Sequence, residues 1–98
     1  MRDPTTTISR EQVRIVLQVE DEFLVSLERE EIVHADDEGS FSPSMVERIR
    51  VCRSLHHDLG VNLAGLDVAV RLLETIRAER SQFREVLEWL GRELEPRR

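Results

Sequence analysis

The last third of the chain leaves it little choice of fold. Asn62 is a good helix N-cap, Pro96 stops a helix, and no proline lies between them. A helix running from there to about Leu94 is on the order of 50 Å long, at about 1.5 Å per residue. The whole chain has 98 residues, and what remains makes one body close to the size at which a single core becomes marginal. Such a body cannot cover the helix along its length. The sequence pattern supplies another cover. Leu66, Leu73, Arg80, Leu87 and Leu94 recur every seven residues, and Ala69, Ile76, Phe83 and Leu90 fall three residues after the first four of them. This a/d series predicts a homodimer, with these positions as the interface seam. Arg80 is its polar member; Glu79 or an acid of the second copy would pair it, and such residues fix register. The competing expectation is a helix folded back on its own domain. Leu63, Val68, Val70 and Leu72 lie off the seam and are expected to dock the helix on its own body. Val86 and Trp89 also lie off it, either as a contact patch or as snorkelled packing. The chain thus divides into a body over residues 1–61 and a dimerisation helix over residues 62–98.

The body reads as three shorter helices. Residues 1–7 form a loose start or a short extended strand of threonines ending in Ile8. Ser9 with Gln12 three residues later is a capping-box pattern, opening a helix to about Leu17 with Val13, Val16 and Leu17 inward. A break at Gln18–Val19 leads to a second helix over about Glu20 to Glu30, with Phe23, Leu24 and Leu27 on one face. Two helices joined by so tight a turn are a helix-turn-helix. Residues 32–41, with Asp36, Asp37, Glu38 and Gly39 at the tip, suggest a small hairpin, a β-wing. Ser42–Pro43 starts a third helix, with Met45, Val46, Ile49, Cys52 and Leu55 inward and Gly60 as its C-cap. The expected fold class is therefore all-α, with the wing as its only β element.

Charge decides what such a body can touch. Glu20, Asp21, Glu22, Glu28, Glu30, Glu31, Asp36, Asp37 and Glu38 share their stretch with one base, Arg29. That stretch carries −8 within a net charge of −6, so the acidity is local. Binding DNA requires Lys or Arg against phosphate and a helix that can enter the major groove. Here both the second helix and the wing tip would repel a duplex. The face is either a docking surface for a basic protein or simply solvated; complementary charge would speed encounter and set orientation more than add affinity.

Catalytic and metal chemistry find little footing. No phosphate loop, nucleophile elbow or His-Glu-x-x-His stands in the sequence. His56 and His57 are adjacent and point about 100° apart on a helix, and with a single cysteine structural zinc is not expected. Cys52 sits at core spacing with Ile49 and Leu55 and reads as a packed small hydrophobe. The expectation is a non-enzymatic protein with no cofactor. The lone cysteine, a start without an apolar signal core, and the lack of an apolar run near the roughly 20 residues of a membrane span fit a cytoplasmic protein.

The order helix-turn-helix, wing, helix, long helix resembles the DNA-binding domain of MerR-type regulators. Around the second helix, Val19, Leu24, Glu28, Arg29 and Ile32 fit their V-S-x-R-T-L-R-Y-Y-E-R-x-G-L pattern. Glu22 and Val25 replace its two arginines, and Ser26 and Leu27 its tyrosine pair. The C-terminal half, Leu55-His56-His57-Asp58-Leu59 and then Gly65 to Leu73, is similar to the R-L-R-x-E-L and G-I-x-V-A-L-x-L stretches of the CbpM family of chaperone modulators. That resemblance implies a MerR-like winged helix-turn-helix that binds the J-domain of a DnaJ-like co-chaperone and inhibits it. The docking residues would be Glu20, Asp21, Glu22, Val25, Glu28, Arg29, Asp36 and Asp37, with neither nucleic acid nor membrane as partner. The alternative is a MerR-type transcriptional regulator whose DNA contacts come from Arg48, Arg50 and Arg53 on the third helix. A third possibility is a dimerisation module without an effector function.

Overall fold

The computed structural model describes residues 6–96 and consists there of four helices: α1 (Arg10–Leu17), α2 (Asp21–Arg29), α3 (Pro43–Leu59) and α4 (Leu63–Leu94). Each start has a local cause. At α1 the capping box is complete: the Ser9 hydroxyl accepts from the Gln12 N–H at 3.1 Å, and the Ser9 N–H donates to Gln12 Oε1 at 3.0 Å. Ser42 caps α3 with Pro43 in its first turn, and Asn62 Oδ1 caps α4 by accepting from the Gly65 N–H at 2.8 Å. The α1–α2 turn is tight because Gln18 adopts a left-handed conformation (φ 55°), which sends the Val19 N–H back to the Arg14 carbonyl. Gly60 does the same at the end of α3 (φ 69°), where a side chain would be strained.

The core lies where these elements converge. Val13, Leu24, Leu27, Ile32, Val33, Phe41, Ile49, Cys52 and Leu66 are all fully buried, and Val19, Met45 and Val70 nearly so. Val16 is not among them. At 75% exposure it lies on the solvent face of α1, because in a helix of two turns Val13 and Leu17 already fill the inward stripe.

The expected wing hairpin is absent: no two segments of residues 32–41 pair as strands, and the bridge present among the described residues joins Ile8 to Phe41. The reason lies in the side chains. Ile32 and Val33 are consecutive and both fully buried, whereas a hairpin strand with one face toward solvent buries only alternate residues. Their N–H groups instead return to the Leu27 carbonyl. Phe41 is drawn into the core and exchanges two 2.8 Å backbone bonds with Ile8. Ile8 makes an isolated bridge and Thr6 and Thr7 before it form no strand; residues 1–5, where the threonine strand would begin, lie outside the described residues.

The first turns of α4 belong to the body. Leu66 and Val70 are buried against the core, Leu63 partly so, and Glu74 pairs with Arg48 of α3. Beyond Glu74 every described residue of α4 is exposed, and the molecule measures 61 Å in its long direction.

Candidate partner-binding surface

Two surfaces stand out: the outward side of α2 with the loop that follows it, and the free side of α4. On α2, Leu24 and Leu27 point into the core and Phe23 is half-buried, which turns the charged positions outward or toward α1. Asp21 and Glu22 occupy the first turn and Arg29 the last, an order that suits the helix dipole.

The acids of this helix are not equivalent. Arg10 of α1 reaches across to two of them, Asp21 at 2.9 Å and Glu28 at 2.7 Å. Partial burial works against the Arg10 charge, but the hydrogen bonds to Asp21 and Glu28 and the attraction of both carboxylates outweigh it and raise its pKa. Asp21 and Glu28 therefore fasten α2 to α1. Glu20, Glu22, Glu30 and Glu31 make no ion pair among the described residues. Val25 and Arg29 lie exposed on the same helix. Arg10 carries no signal in the sequence that would single it out; only the crossing of α1 and α2 brings it to the acids.

Asp36 also has a structural task. Its Oδ1 accepts from the Glu38 and Ser40 N–H groups, each at 2.9 Å, and so closes the loop that stands in place of the wing. Asp36, Asp37 and Glu38 are all exposed, and Asp37 and Glu38 make no ion pair among the described residues.

The three α3 arginines are committed within the chain. Arg48 donates to the Ile32 carbonyl at 3.0 Å and pairs with Glu74. Arg53 donates to the Gln18 carbonyl at 3.3 Å, and Arg50 pairs with Glu47 at 2.6 Å. The hydrogen bond from Arg50 is the first cause that holds the Glu47 carboxyl below its usual range.

Between α2 and the end of α3 lies an open groove of about 450 Å³. The His56 ring stacks on Phe23 with centroids 5.0 Å apart, and its Nδ1 stands 2.8 Å from the Val61 carbonyl. Among the described residues no group of three His, Cys, Asp or Glu could hold a metal ion. Cys52 is buried, and burial pushes its thiol pKa up to about 11.

On α4 the structure redraws the expected seam. Leu66 is fully buried in its own body, so it offers nothing to a second copy. Ala69 and Leu73 are half-buried. Val68 and Leu72, expected to dock the helix internally, are 57% and 58% exposed. The cause is helix geometry: at about 100° per residue, Leu66 and Val70 share one side while Val68 and Leu72 point away from it. The exposed apolar stripe therefore runs through Val68, Leu72, Ile76, Phe83, Val86, Leu87, Leu90 and Leu94. Arg80 is exposed beside it, as is Trp89. No helix among the described residues is long and apolar enough to cross a membrane.

The described residues form a helix-turn-helix packed on a third helix, with a long helix projecting from the body. This chain belongs to the MerR helix-turn-helix family of regulatory proteins, whose description matches it over residues 8–87. No curated protein and no solved structure matches it.

Proposed function

We propose that this protein is a chaperone modulator, a non-catalytic adaptor that binds and inhibits the J-domain of a DnaJ-like co-chaperone. The observation that carries the reading is the state of the charges on the helix-turn-helix. The helix that would read bases, with the residues at its two ends, presents Glu20, Glu22, Glu30 and Glu31 without ion-pair partners among the described residues. Of the arginines that might have contacted phosphate, Arg48 and Arg50 pair with Glu74 and Glu47, and Arg53 donates to the Gln18 carbonyl. A J-domain suits this face because its second helix is characteristically basic. Covering that helix would deny it to the DnaK-type chaperone it serves, and inhibition would follow from occupancy. The similarity of the C-terminal half to the CbpM family supports the same partner.

The protein would act as a homodimer. The stripe on α4 carries eight large apolar side chains in the open, more than a soluble monomer ordinarily displays in one patch. A second copy laid along it would cover them.

A second reading has its own support: the matching family is one of helix-turn-helix regulators. It would make this chain a DNA-binding transcriptional regulator. A single pair of titrations separates the two. Calorimetry with the organism's DnaJ-like co-chaperone should give saturable binding, and duplex DNA at about 10 mM salt, where charge effects reach about 30 Å, should give none. The opposite pair of results would establish the regulator reading.

A further inference from the structure

Two grooves meet at the turn of the helix-turn-helix. The larger, between α2 and α3, has Glu20, Glu22, Phe23 and Arg53 on its walls. The shallower, about 380 Å³, lies against α1 and is lined by Glu11, Arg14 and Ile15. Gln18, Val19 and Glu20 line both, so the two form one trough across the turn.

Its groups divide by whether they are already engaged. Arg53 donates to the Gln18 carbonyl and keeps its charge on the groove wall, and His56 is engaged with Phe23 and the Val61 carbonyl. His57 stands 3.4 Å from Asp58, and the Ser26 hydroxyl donates to the Glu22 carbonyl of its own helix. Glu11 and Arg14 lie together on α1, so their opposite charges largely cancel at that end. Against Glu11, Glu20 and Glu22 the trough carries Arg14 and Arg53, so it is acidic on balance, and its exposed branched apolar side chain is Ile15. Glu20 sits at the N-cap of α2, yet its carboxylate makes no cap bond. Glu22 has no ion-pair partner among the described residues, and Ile15 is 68% exposed.

We propose that this trough, from Ile15 across the turn to Glu22, is the docking groove for a cationic amphipathic helix of the partner protein. The inference rests on the docking reading above and names its surface. An apolar side chain of the occupant covers Ile15. Basic side chains meet Glu20 and Glu22 with their aliphatic stems along Phe23. An acidic occupant would instead meet two unpaired carboxylates. Asp21 and Glu28, held by Arg10, take no part. The loop acids Asp37 and Glu38 line neither groove and act only through their distant field.

The test uses the full chain and the full DnaJ-like co-chaperone of the same organism, titrated by calorimetry. The variants are Glu20→Arg with Glu22→Arg, Ile15→Gln alone, and Asp37→Arg with Glu38→Arg as the control. All these side chains are exposed, so the circular dichroism spectrum and melting curve should remain those of a folded protein. The double reversal in the groove should weaken binding about 100-fold or more, since like charges then face each other. Ile15→Gln should weaken it about tenfold, as loss of a central anchor does, and the loop reversal by no more than about threefold, as expected of rim charges. Wild-type binding that survives both groove variants, or that falls as far with the loop reversal, overturns the groove and leaves the docking reading standing. Absence of wild-type binding overturns both.

Discussion

Leu66→Ala distinguishes a core residue from a seam residue, and its size can be worked from the structure. Leu66 is 0% exposed and belongs to the buried cluster that also holds Ile49 and Cys52 of α3 and Val70 of α4. Cutting a fully buried leucine back to alanine costs about 2–5 kcal/mol, because the lost transfer energy adds to an unfilled cavity. We take about 3 kcal/mol here. A domain of this size has on the order of 5–15 kcal/mol in total, so the loss is a large share of its stability. Each kcal/mol moves the midpoint of so small a domain by about 4–8 °C, which puts the variant roughly 12–24 °C below wild type. Thermal melts and sedimentation equilibrium on the same samples are the assay. The dissociation constant of the proposed dimer should be almost unchanged for the folded variant, since Leu66 is buried in its own body. A melt within about 3 °C of wild type, well below the shift such a cavity produces, would refute the assignment. So would a dissociation constant raised as far as that of a stripe variant.

Leu72→Asp or Phe83→Asp should turn the dimer into a folded monomer, visible as a halving of the sedimentation mass from about twice 11.4 kDa, because a charge in a closed apolar interface has no solvent; a wild type already monomeric at micromolar concentration would end the stripe reading. Arg10→Ala should lower stability by about 1 kcal/mol in urea melts, a small figure because Asp21 and Glu28 are partly exposed and water screens the pairs. Cys52 should resist a thiol reagent at pH 8 until the protein is denatured, since burial holds its thiol up to about 11. The same shift has a signed effect on stability. The folded thiol keeps its proton while the unfolded one loses it, so this contribution is intact below pH 9 and is lost as the pH rises toward 11.

The helices were legible because their boundaries are written in local chemistry. Ser9 with Gln12, Ser42 with Pro43, Asn62 and Gly60 each act within a few residues of themselves, and each appears in the structure in its expected role. The wing failed for a tertiary reason. A run such as Ile32-Val33 looks like a strand, but the core takes both side chains at once and breaks the alternation. The α4 pattern misled in a related way. Leu66 satisfies the heptad and the body's core equally well in sequence, and only the direction in which α3 approaches decides between them. Val68 and Leu72 then fall on the open side. Long-range ion pairs were the least legible. Arg10 with Asp21 and Glu28, and Arg48 with Glu74, join positions that no spacing rule connects, and the Arg10 pairs separate Asp21 and Glu28 from Glu22 on α2.

The central claim is that the acidic helix-turn-helix of this MerR-family chain serves protein docking. Fluorescence anisotropy tests it most directly, with the organism's labelled DnaJ-like co-chaperone titrated by this protein at about 10 mM and about 150 mM salt, Debye lengths of about 30 and 8 Å. Docking through complementary charge should give a saturable rise at both, weaker at the higher salt. A flat trace at both salts, up to protein concentrations of about 100 μM, a range that would detect any affinity tighter than about −5 kcal/mol, would contradict it.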